Sequence, residues 1–115
     1  MKKRKKQLNT LVTDHVSKRA KRRARGKRRR FSQEQKQERY MLFNNTCAYC
    51  GIGGKMTADH FIPLAKGGKS VDVLSNIIPA CFRCNNGKGC KDAYEWYSKQ
   101  KFFSQARWDK IKLIV

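Results

Sequence analysis

Acidic residues are scarce in this sequence: eight Asp and Glu stand against 28 Lys and Arg, a formal charge of +20 over 115 residues. That imbalance favours a polyanionic partner, of which nucleic acid is the commonest. Long apolar runs are missing as well. Nothing approaches the roughly 18 apolar residues of a membrane span, and the front of the chain lacks the apolar segment of a secretory signal. An acidic membrane surface fits poorly as a partner, because no amphipathic helix with a large apolar face accompanies the charge. No internal repeat is visible, and the length favours one folded domain.

The charge is unevenly spread. Residues 1–30 hold fifteen of the basic residues, in "KKRKK" and "KRRARGKRRR", opposed only by Asp14. Like charges at that density repel one another, so this segment is expected to be a disordered arm that binds phosphate. A tail serving only solubility or addressing is the alternative. His15 has no companion ligand there and receives no role. Residues 31–115 keep thirteen basic residues against seven acids, a net +6, and form the expected folded domain. A domain that size buries a modest core and often relies on a metal or disulfide staple.

Local signals divide the folded part into short elements. Ser32 followed by Gln35 has the form of a capping box and predicts a helix to about residue 43, ended by Asn44-Asn45. A short strand is expected over residues 55–60 and a second at "NIIPAC". Pro63, Gly67 and Gly68 predict that residues 61–74 are mostly loop. A helix should start close to Cys81 and carry Cys84 and Asn85. Asp92 with Glu95 marks another start, followed by Ala93, Trp96, Tyr97 and Gln100 at helical spacing. Ser104 caps a last helix with Trp108, Ile111 and Val115 on one face. The Trp and Tyr residues read as core and packing groups rather than as platforms for bases.

Five cysteines in a chain expected to stay in a reducing cytosol point to metal ligation before disulfides. Cys47-x-x-Cys50 and Cys81-x-x-Cys84 supply four thiolates in two pairs, a spacing that lets both sulfurs of a pair reach one ion. Two such knuckles make a closed tetrahedral site suited to structural zinc. A redox dithiol is the rival reading, but two copies without a βαβ pattern oppose it. Cys90 is left over as a free thiol.

The thirty residues between the knuckles, with Asn85 directly after the second, hold the remaining chemistry. A carboxylate on Asp59 and an amide oxygen on Asn85 are hard ligands, matched to Mg²⁺ or Mn²⁺. His60, with an ordinary pKa of about 6.5, is a workable general base near neutral pH. Regular pleating points Asp59 and His60 to opposite faces, so the strand must end or bend at His60. A structural role for the Asp-His pair is the competing interpretation.

"CAYC", "DHFIPLAKGG", "SNIIPAC" and "CFRCNNGK" together resemble the HNH endonucleases, with the small free-standing enzymes of bacteriophages and bacteria closest. The resemblance implies a small α+β fold: a ββα-metal finger stapled by a four-Cys zinc site, flanked by helices, with the core motif at residues 47–88. It implies that His60 is the general base and that Asn76 pins the loop behind it. Asn85 stands where a histidine often stands, and with Asp59 it would hold the catalytic Mg²⁺ or Mn²⁺. Lys88, Lys66, Lys69 and Arg83 are expected to contact phosphate. The implied activity is hydrolysis of DNA to 5′-phosphate and 3′-hydroxyl ends in the cytoplasm, that of the host if phage-encoded. Other phage DNA-processing proteins are conceivable partners, and no dimer seam is evident, which favours a monomer. A zinc-finger module that grips nucleic acid without cutting is the alternative, and a subunit of an RNA-protein particle a more distant third.

Overall fold

The structure, a computed structural model, describes residues 31–115; the expected basic arm at residues 1–30 lies outside them. Helix α1 spans Gln33–Met41 and opens with the capping box: Ser32 Oγ accepts from the Gln35 N–H at 3.0 Å, and Gln35 Oε1 accepts from the Ser32 N–H at 2.8 Å. The chain then turns at Asn44 and Asn45, both left-handed with φ of 58° and 57°, a region that Asn tolerates better than most residues.

Strands β1 (Thr57–His60) and β2 (Ile77–Ala80) pair antiparallel, with Asp59 opposite Ile78 and His60 opposite Ile77. Ile77, Ile78 and Ala80 are fully buried. Full burial of one isoleucine side chain stabilises by about 1.5–3 kcal/mol, enough to fix β2 as the interior strand. Pro79 lacks an N–H but its carbonyl accepts from the Ala48 N–H at 2.9 Å, which lays the first cysteine knuckle along the sheet edge.

Between the strands the chain is more ordered than its Pro and Gly content predicts. A one-turn helix α2 (Leu64–Gly67) follows Pro63, and 3₁₀ turns occupy Gly68–Val71 and Leu74–Asn76. Proline just before a first turn is compatible with helix, because the missing N–H has no partner there anyway. Gly68 then leaves the turn at φ 59°.

Helix α3 (Phe82–Lys88) starts directly after Cys81, whose sulfur caps it by accepting from the Cys84 N–H. Helix α4 covers Ala93–Tyr97, capped by Asp92, and ends before Gln100. Helix α5 covers Gln105–Ile114 after its Ser104 cap. Ile111 of α5 is buried, but Val115 lies past the helix and is 38% exposed, so it does not extend the expected apolar face.

The core is aromatic. Tyr49 packs edge-on against Trp96 and Tyr97 at centroid distances of 5.1 and 5.2 Å. Tyr97 Oη donates to the Tyr49 carbonyl at 2.6 Å, pinning the first knuckle to α4. On the other flank, the Arg39 guanidinium of α1 donates to the carbonyls of Ile77 and Ser75 at 3.0 and 2.9 Å. Those two residues bracket Asn76.

Candidate active site and cysteine cluster

The two knuckles meet as their spacing predicts. The sulfurs of Cys47, Cys50, Cys81 and Cys84 all lie within 4.8 Å of one another, and those of Cys50 and Cys81 are 3.8 Å apart. A tetrahedral ion with sulfur at about 2.3 Å requires sulfurs roughly 3.8 Å apart, so shifts of about an ångström or less close the cluster on zinc. Within each knuckle the last cysteine N–H faces the first sulfur at 3.5 Å. The Cys84 thiol, donating to Cys47, pushes Cys47 down to about 4 against the opposing effect of burial. Cys84, on the other side of that hydrogen bond, is raised. The opposite directions describe one shared proton, so the readily lost proton belongs to the pair. Cys90 is exposed and stands apart from the cluster.

A second polar group fills the gap between β1 and α3. Asp59 is 3% exposed; its Oδ2 accepts from Tyr49 Oη at 2.7 Å and its Oδ1 from Lys88 Nζ at 3.2 Å. Burial raises the Asp59 carboxyl, while the Lys88 charge and the Tyr49 hydrogen bond pull it back down. Burial, and next the Asp59 charge, pushes the Tyr49 phenol well above its ordinary range, so it remains a donor. Lys88 also donates to the His60 carbonyl at 2.9 Å and is 0% exposed. The expectation that Lys88 touches phosphate is therefore corrected: a cation enclosed between Asp59 and the β1 backbone does not present itself to a polyanion. Its buried charge is there because Asp59 is there.

Asn85 lies one turn earlier on the same face of α3. Its Nδ2 donates to Thr57 Oγ1 at 2.8 Å and approaches the Ala58 carbonyl at 3.4 Å. Its Oδ1 takes no hydrogen bond among the described residues. Asp59 through Lys88, and Asn85 through Thr57, thus each join β1 to α3. Each carboxylate oxygen of Asp59 keeps a lone pair beyond the bond it already accepts. The donor chemistry fits a hard divalent cation.

His60 is the last residue of β1. Its Nε2 is 2.9 Å from Asp72 Oδ1. Behind it, Asn76 bonds the loop at both ends. Its Oδ1 accepts from the Ile62 N–H at 2.9 Å, and its Nδ2 donates to the carbonyls of Ile62 and Val71 at 3.0 and 2.9 Å. Lys66, Lys69 and Arg83 are all exposed.

Two residues of this arrangement escaped sequence reading, Tyr49 and Asp72. Tyr49 looks like filler between two ligands, and nothing local shows that its hydroxyl reaches ten positions ahead. Asp72 did leave a signal. It and Asp59 are the only acids between residues 47 and 91.

Comparisons with known proteins agree with this geometry. Residues 47–91 match the family described as HNH endonuclease. The chain is 40% identical over 84 residues to YoqL of Bacillus subtilis strain 168, named as a candidate SPbeta prophage-derived HNH endonuclease. That alignment covers 61% of this chain and 35% of YoqL, so the chain spans about a third of the relative's length. Among solved structures, the Type II-C Cas9 enzyme from Actinomyces naeslundii shares the fold, with a TM-score of 0.50 and 24% identity. The shared part is 77% of this chain and 10% of that enzyme. The motif and the matched span coincide: residues 47–91 carry the match to the HNH endonuclease family.

Proposed function

We propose that the protein is a metal-dependent DNA endonuclease that hydrolyses phosphodiester bonds to 5′-phosphate and 3′-hydroxyl ends. The observation that carries this reading is the tie between strand and helix at the motif: Asp59 of β1 accepts from Lys88 of α3, and Asn85 of α3 donates to Thr57 of β1 with its Oδ1 unengaged among the described residues, while His60 ends the same strand. Asp59 and Asn85 would hold Mg²⁺ or Mn²⁺. When bound, such an ion supplies Lewis-acid stabilisation to the scissile phosphate and the departing 3′-oxygen. His60 takes the proton of the attacking water. Asn76 keeps the His60 loop closed by its three bonds to Ile62 and Val71. Zinc in the four-cysteine cluster is structural, since four protein thiolates leave no open position for substrate. Exposed Lys66, Lys69 and Arg83 meet backbone phosphate, in keeping with the +6 of residues 31–115. DNA is the partner this reading requires, and a monomer in the cytoplasm is sufficient for it.

One observation favours a second reading, a zinc-finger module that binds nucleic acid without cutting it. Asp59 is already neutralised by Lys88, as a purely structural carboxylate would be. Incubation with supercoiled plasmid, with and without Mg²⁺, separates the two. Nicked or linear plasmid that depends on the ion supports the nuclease; retained DNA binding with intact plasmid at every metal tried overturns it.

A further inference from the structure

We propose that Asp72 is the positioning residue of the active site: it fixes the ring of His60 with the proton on Nε2, so that Nδ1 is the nitrogen that accepts the proton from water. This rests on His60 being the base. The geometry is direct. Asp72 Oδ1 is 2.9 Å from His60 Nε2, and the carboxylate is 5% exposed. An ionised carboxylate only accepts hydrogen bonds, so the ring nitrogen facing it must carry the hydrogen. Among the described residues no hydrogen bond reaches the other ring nitrogen. The imidazole side chain remains 16% exposed, so the ring is held without being sealed from solvent.

The eleven residues between the two are closed into a loop by Asn76. Asn76 bonds Ile62, two residues after His60, and Val71, the residue before Asp72. The Asp72 N–H is itself tied to the Lys69 carbonyl at 3.1 Å. The Asn76 amide therefore sets the spacing across which His60 and Asp72 meet. A base whose lone pair can sit on either nitrogen spends part of its time in the unproductive form; a buried carboxylate at one nitrogen removes that choice.

The test uses the full chain and the variants D72A and D72N. D72A should lower kcat for plasmid cleavage by about 10- to 100-fold, the usual cost of losing the partner that orients a histidine. KM for DNA should stay within about twofold of wild type, because a carboxylate turned to His60 in a residue only 5% exposed presents little surface to DNA. Long-range ¹H–¹⁵N spectra at alkaline pH, assigned with H60Q, should show the His60 proton on Nε2 in the wild type and a mixture in the variants. If D72A does not fold, the isosteric D72N supplies both readouts, since a neutral amide no longer demands a proton from Nε2. A folded variant with kcat within about twofold of wild type, or with unchanged His60 nitrogen shifts, overturns the proposal. Should the wild type itself fail to cut DNA, the nuclease reading falls, and the spectra still decide whether Asp72 fixes the ring.

Discussion

Lys88 and Asp59, twenty-nine positions apart, form a buried ion pair: Nζ lies 3.2 Å from Oδ1 and the lysine is wholly enclosed. The same Nζ holds the His60 carbonyl, so one helical lysine grips both residues of the Asp-His pair. Removing one partner of a buried pair leaves the other charge uncompensated. Lys88→Met should therefore cost about 3–5 kcal/mol of stability, read by chemical denaturation. A variant of unchanged stability but weakened DNA binding would return Lys88 to the role of a phosphate contact.

His60→Ala should abolish most cleavage while leaving folding and DNA affinity intact. The side chain ends β1 at the edge of the sheet and is not among the core residues. Loss of a general base costs about 10² to 10⁴ in rate. Cleavage within a few-fold of wild type by a folded variant would mean that another group takes the proton.

The two metal sites should separate by exchange. EDTA should stop cleavage, and added Mg²⁺ or Mn²⁺ should restore it, because hard-ligand sites load and unload freely. Cys84→Ser should instead lower both zinc content and melting temperature, since four-thiolate zinc supplies folding energy to a small domain. Unchanged melting and metal content in that variant would contradict the zinc assignment.

Deleting residues 1–30 removes fifteen of 28 basic residues and none of the site. If the arm meets roughly five phosphates, it contributes about 4.5 to the slope of log affinity against log salt. The truncated protein should bind DNA with a visibly shallower salt dependence and a raised KM, at similar kcat. Equal slopes for the two forms, measured by anisotropy, would leave the remaining +6 as the whole binding surface.

What was legible in the sequence is what local chemistry decides. The Ser32–Gln35 box and the Asp92 and Ser104 caps involve partners three residues apart, and all three open helices where expected. The cysteine knuckles were equally plain, because Cys-x-x-Cys has few other uses at this spacing. Residues 61–74 were misread as mostly loop; Asn76 and its bonds to Ile62 and Val71 make the turns there worth forming. The burial of Lys88 was hidden for a different reason. On a short helix a lysine reads as solvent-facing unless the carboxylate it will meet is known, and that carboxylate sits on another element. Asp72 and Tyr49 were overlooked on the same ground, since each acts across ten or more positions.

The sulfurs of Cys50 and Cys81 meet at 3.8 Å, so the chain between them is a ring in all but covalent closure. Asp59, His60, Asp72 and Asn76 are carried on that ring, and Asn85 and Lys88 follow within the next helix. A unit whose entrance and exit lie side by side is portable: a host polypeptide need only offer two neighbouring attachment points, whatever its own length. The fold's presence in an enzyme of which it fills a tenth, and here in a chain of 115 residues, is what such a graftable cassette permits.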